Sequence, residues 1–205
     1  GSEMCIRDSF VAILTAGFFS IGLSYFHLWT PNENTVLLNR LAIITVLGFV
    51  FEGMATPLFY TYTLTLKNRV PCVLTIISGI VNVTSMFFLL SNTSLGLYAV
   101  VGTTSVLAFL MYFVFTPIYA AYCIGTKLNA YYSSILKVLL STVITVVICY
   151  FLPFSDILNT WTGFIVSAFI IALIGISVMW ICSFSTDDRR FIIESIKTRC
   201  NKRVK

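Results

Sequence analysis

The stretch GFVFEGMATPLFY, Gly48–Tyr60, decides the fold. It carries one charge, Glu52, and the nearest charged neighbours are Arg40 on one side and Lys67 on the other. Polarity does not alternate along it, so it reads as a helix and not as a half-buried strand. Taken outward to Val36 and Leu66, the run would measure roughly 46 Å at the helical rise. That exceeds the ~30 Å hydrocarbon core of a bilayer. A lone carboxylate near the middle of such a run needs a reason, and the reason depends on what surrounds it.

The rest of the chain says that hydrocarbon surrounds it. Of 205 residues, 58% are hydrophobic and 10% are charged, with a mean hydropathy of +0.95. Soluble domains carry about 25% charged residues, and a compact fold in water has to cover its outside with polar groups. The net charge of +5 is concentrated in the C-terminal tail, which suits a membrane surface better than nucleic acid. Six scattered cysteines without a C-x-x-C pair, and a single histidine, indicate neither a metal site nor a disulfide framework. No cofactor is expected.

Six segments are long enough to span: Phe10–Trp29, Val36–Leu66, Val70–Leu90, Leu95–Ile124, Tyr132–Leu152 and Trp161–Phe184. The expected class is an all-α integral membrane protein with six transmembrane helices. Lys67 and Arg69, Lys127 and Lys137, and the tail cations from Arg189 to Lys205 all fall on one side of a six-span chain, which predicts a cytoplasmic C-terminus. Aromatic residues such as Tyr25, Trp29, Trp161 and Trp180 sit near the span ends, as interfacial belts do. Thr126–Lys137 reads as a segment lying on the membrane, and the tail from Ser185 either as another or as a solvated, partly frayed end. The first nine residues, GSEMCIRDS, are polar and resemble a translated sequencing adapter. The expected organisation is a non-native leader over 1–9, a six-helix lobe over 10–184 and a basic tail over 185–205, in a chain that lacks an N-terminal part.

Within the spans, Thr45, Gly48, Glu52, Thr56 and Thr63 fall on one helical face. That face is expected to point into the bundle, with Glu52 either on an ion or substrate path or protonated and hydrogen-bonded for packing. Pro57 and Pro117 each remove a backbone donor and are expected to kink their spans. Arg40 lies about 120° from the Glu52 face, so it either snorkels to the headgroups or meets an anionic substrate. His27 reads as an interfacial anchor. In the third span Thr75, Ser78, Gly79, Asn82 and Ser85 form a small, polar stripe, and in the first Ala16, Ser20 and Ser24 do the same. Close packing explains both stripes, with Asn82 the member suited to line a path.

No phosphate-cradling glycine loop, carboxylate pair or histidine-centred constellation is present, so no enzyme is expected. The run from Leu28 to Val83, LWTPNENTVLLNRL through IISGIVNV, together with FTPIYAAYCIGTKLNAYYSSILK, resembles the C-terminal half of bacterial polysaccharide flippases of the MATE-like MOP exporter superfamily. The resemblance implies one lobe of a 12- to 14-helix inner-membrane transporter. Such a transporter moves undecaprenyl-pyrophosphate-linked oligosaccharide by alternating access, often with a coupling ion, a proton or sodium. Its partners would be that lipid-linked oligosaccharide, the membrane lipids and the missing N-terminal lobe of the same protein. Arg40 is the residue here that could match the family's cavity cations. A MATE-type ion-coupled drug or metabolite antiporter, a membrane polymerase or acyltransferase, and a helical scaffold are the other readings.

Overall fold

The structure, a computed structural model, describes residues 2–152 and 160–182. The expected connection around Pro153–Asp156 and the tail over 185–205 lie outside the described residues. Among the described residues every regular element is helical: α1 Ser2–Ser20, α2 Gly22–Trp29, α3 Thr35–Leu64, α4 Arg69–Asn92, α5 Leu97–Ala108, a π-helical segment Phe109–Phe115, α6 Thr116–Ile124, α7 Leu128–Tyr150 and α8 Trp161–Cys182. Counting α5 to α6 as one span, five spans are long and apolar enough to cross a bilayer. The bent pair Phe10–Ser20 and Gly22–Trp29 makes a sixth. The protein is an all-α, multi-pass membrane protein.

α1 sits at the centre, against α3, α7 and α8. α3 packs in turn on α5, the π segment and α6, while α4 lies at the edge on α5. Close approach is set by glycines: a Cβ on Gly53 would come within 2.8 Å of Val11, and one on Gly175 within 2.5 Å of Ile13. Three buried clusters follow from this packing. Ala12, Val50, Met54, Val138 and Met179 join α1, α3, α7 and α8. Ala16, Ile21, Cys149 and Ile171 continue the same seam toward α2. Leu58, Tyr62 and Ala120 tie α3 to α6.

Two sequence expectations change. The first span is not one rod: it bends by 71° at Ile21, whose ψ of 2° leaves the helical basin. Gly22 follows directly, and the Asn39 side chain occupies the place where its Cβ would stand, 2.5 Å away. A helix interrupted beside glycine, with a side chain pressed against the gap, has an identifiable cause without proline. Second, Thr126–Lys137 is not a separate surface segment, because α7 is continuous from Leu128. The helix that carries Phe10 begins at Ser2, and its span-forming part runs from Phe10 as expected.

The two prolines sit in different surroundings. α3 is a single helix from Thr35 to Leu64, through position 57. At Pro117 the chain arrives through the π-helical segment, and the disturbed carbonyls find hydroxyls. Thr116 Oγ1 donates to the Met111 carbonyl at 2.8 Å. Tyr132 donates to Phe113, the carbonyl that Pro117 cannot serve, at 3.2 Å. Tyr62 donates to the Thr116 carbonyl at 2.8 Å. In hydrocarbon each such group needs a partner inside the protein.

Candidate functional site

α3 supplies the site. Its buried side carries Val50, Gly53, Met54, Leu58 and Tyr62, which meet α1, α6 and α7. Gly48 lets α5 approach, so that Ser105 donates to the Ile44 carbonyl at 2.8 Å and would stand 3.2 Å from a Cβ on Gly48. Phe51 packs edge-on against Phe109 and Phe113 of the π segment, with centroids 5.0 and 5.8 Å away.

What remains is the polar face. Thr45 and Thr63 are exposed, and Glu52 and Thr56 are half-buried. The expected face is split: Gly48 packs against α5, whereas Thr45 and Thr63 lie on the open side of α3 and Glu52 and Thr56 at its margin, so only part of the face points into the six-span bundle. The threonine hydroxyls are satisfied along their own helix: Thr45 donates to Leu41 at 2.9 Å, Thr56 to Glu52 at 2.8 Å and Thr63 to Phe59 at 3.4 Å. The Glu52 carboxylate makes no hydrogen bond or ion pair among the described residues. It stands within electrostatic range of Tyr112, a π-segment residue whose ring packs on Phe59 at 6.1 Å.

The other candidates are not gathered there. Arg40 is exposed and makes no ion pair among the described residues. His27 approaches buried Thr35, with Nε2 3.5 Å from Oγ1, at the start of α3. Asn82 belongs to the face of α4 that meets α5, where its amide nitrogen donates to Thr104 Oγ1 at 3.4 Å while Oδ1 is buried without a partner among the described residues. Ser78 and Ser85 share that half-buried face, whereas Thr75 and Gly79 are exposed.

Sequence reasoning missed a second polar group. Thr15, Ser141, Thr142, Thr145 and Ser167 are buried where α1, α7 and α8 meet. Ser141 donates to the Val138 carbonyl and to the Met179 sulfur, at 2.8 and 2.9 Å. Thr142 and Thr145 bond back to Val138 and Ser141, both at 2.8 Å. Ser167 Oγ and Asn39 Oδ1 are buried without partners among the described residues. The signal was available in spacing: Gly163, Ser167, Ile171, Gly175 and Met179 repeat every four residues and form the buried stripe of α8. Beside the bend, Gly17, Ile21, Phe164 and Ala168 help line an apolar cavity of about 210 Å³ between α1–α2 and α8. Among the described residues no group of three or more His, Cys, Asp or Glu side chains could hold a metal ion. The arrangement offers one unpaired acid, a line of hydroxyls and backbone interrupted at two spans.

Comparison with known proteins gives one relative and no family model. The chain is 22% identical over 151 residues to the Bacillus subtilis (strain 168) protein described as "Uncharacterized membrane protein EpsK". The match covers 73% of this chain and 30% of EpsK, so the chain spans about a third of its relative's length. No solved structure matches. The similarity agrees with the helices in placing the chain among multi-pass membrane proteins.

Proposed function

We propose that this chain is one part of a bacterial inner-membrane transporter that flips lipid-linked oligosaccharide by alternating access. Glu52, Thr45, Thr56 and Thr63 line its path, and the C-terminal end lies in the cytoplasm. The observation that carries the reading is the unpaired Glu52 carboxylate on an open, hydroxyl-lined face at mid-span. An acid at the centre of a membrane helix costs about 2.5–3.5 kcal/mol on translocon scales and faces a bundle interior or watery cavity. With α3's other side packed, the open face needs water, substrate or further helices against it. The resemblance to polysaccharide flippases supplies the substrate class, an undecaprenyl-pyrophosphate-linked oligosaccharide, and a second lobe of the same protein to complete the cavity. The work is transport; no bond-making constellation is proposed.

Replacing Glu52 with Gln in the full-length protein tests this. Surface polysaccharide export is expected to fall about tenfold, equivalent to ~1.4 kcal/mol, with expression unchanged. Export at the parental level would remove Glu52 from the mechanism. A second reading rests on the same carboxylate: placed near Tyr112 with no cation beside it among the described residues, it suits proton or sodium coupling in a drug or metabolite antiporter. That reading expects gradient-driven dye efflux from vesicles, abolished in Glu52→Gln, and unaffected polysaccharide export.

A further inference from the structure

We propose that the loop between α3 and α4 is a binding site for an anionic phospholipid, with Lys67 and Arg69 on its phosphate and Leu64 and Leu66 against its acyl chains. The inference does not rest on the transport reading.

The loop is built and not slack. Leu66 has a φ of +54°, the left-handed region that a side-chain-bearing residue rarely occupies. Neighbouring groups hold the chain in that turn. The Lys67 N–H donates to the Tyr62 carbonyl at 3.0 Å, and the Tyr119 hydroxyl donates to the Lys67 carbonyl at 3.1 Å. The Lys67 ammonium rests 5.3 Å from the centre of the Tyr122 ring. Lys67 is thus fixed at its backbone by α3 and α6 and at its tip by α6. A cation over an aromatic face uses none of its three N–H donors on that face, so the ammonium is positioned and still free to donate. Arg69, the first residue of α4, is exposed, and neither cation makes an ion pair among the described residues.

Charge and apolarity together select the occupant. Two unpaired cations call for an anion, and a phosphate oxygen accepts from both ammonium and guanidinium. Leu64 and Leu66 are 85% and 88% exposed within two residues of those cations. A soluble anion would leave these leucines bare, while an amphiphile covers them. Juxtamembrane lysine and arginine beside an apolar surface is the pattern that recruits acidic lipid.

The test uses the full chain purified in detergent, with thermal unfolding followed against added phosphatidylglycerol, phosphatidylcholine or inorganic phosphate. Phosphatidylglycerol is expected to raise the midpoint, and the other two to leave it unchanged. Lys67→Gln and Arg69→Gln should each weaken phosphatidylglycerol binding about fivefold, and Tyr122→Leu should weaken it by releasing the ammonium. Lys137→Gln should bind as the parent does. If one of these variants does not fold, the remaining single variants carry the test, with bound lipid counted by native mass spectrometry. Undiminished binding in both cation variants would overturn the site. So would equal stabilisation by inorganic phosphate, or preference for a polyprenyl pyrophosphate over phosphatidylglycerol.

Discussion

At the scale of single residues, the tight contacts are made where a side chain is missing. Gly175 faces Ile13 so closely that a Cβ would stand 2.5 Å from Cγ1, a carbon held by the narrow χ1 preference of a β-branched residue in a helix. Gly17, which lies beside the stripe of Ala16, Ser20 and Ser24, has nothing within 4 Å of where its Cβ would be. Gly175→Ala is therefore expected to destabilise by about 1–3 kcal/mol through overpacking. Gly17→Ala should be neutral or stabilising by up to about 1 kcal/mol from helix propensity. Thermal unfolding of the two variants in detergent checks the contrast, and equal effects would mean that α1 and α8 do not meet as described. Spacing flagged Ala16, Ser20 and Ser24 because small residues four apart are common at helix contacts. It could not say which glycine the neighbouring helix reaches, since that depends on the rotation of both rods. Glu52 shows the same limit: its chemistry was legible, and the direction its face points was not.

Among elements, hydropathy located the spans well because length and apolarity are linear properties of the chain. The expected Leu95–Ile124 corresponds to the observed Leu97–Ile124, and Trp161–Phe184 to an α8 described as far as Cys182. What went unread were the interruptions and their partners. No proline announces the 71° bend at Ile21; its companions are Gly22 and an asparagine on another helix. Pro117 did announce a disturbance, but the hydroxyls that satisfy it come from 19 and 54 residues away along the chain. These bonds have a measurable worth. Tyr132→Phe strips the Phe113 carbonyl of its donor and Tyr62→Phe strips that of Thr116. Each is expected to cost about 1 kcal/mol, within the range found for side-chain hydrogen bonds in membrane bundles. The two bonds serve one short stretch, so the double variant should depart from additivity. Unfolding midpoints of the two single variants and the pair provide the check, and a cost near zero for both would mean that the π segment reorganises to serve itself.

For the whole molecule, the question posed by Glu52 becomes one of what lies against α3. The chain aligns with under a third of EpsK's length, so its relative has ample sequence to supply more helices. On one face of α3, Thr45 and Thr63 are exposed and Glu52 and Thr56 half-buried, while the outward residues of α4 are mostly apolar, among them Ile76, Ile80, Val83 and Phe87, with Thr75 and Thr84 as exposed hydroxyls. A lipid boundary would treat the two surfaces alike, yet their composition differs in the sense that separates a wet cavity from hydrocarbon. Cysteine substitution in the full-length protein turns this into a measurement. Thr45→Cys and Thr63→Cys are expected to react with a water-soluble maleimide, whereas Ile80→Cys and Val83→Cys should stay unreactive until the protein is denatured. Hydrocarbon does not support the thiolate that reacts with maleimide, so reactivity at an apolar depth reports water. If all four positions are silent, the polar face is sealed by other helices and Glu52 is a packing acid. If the α4 positions react as readily as those on α3, the wet side of the molecule has been assigned to the wrong helix.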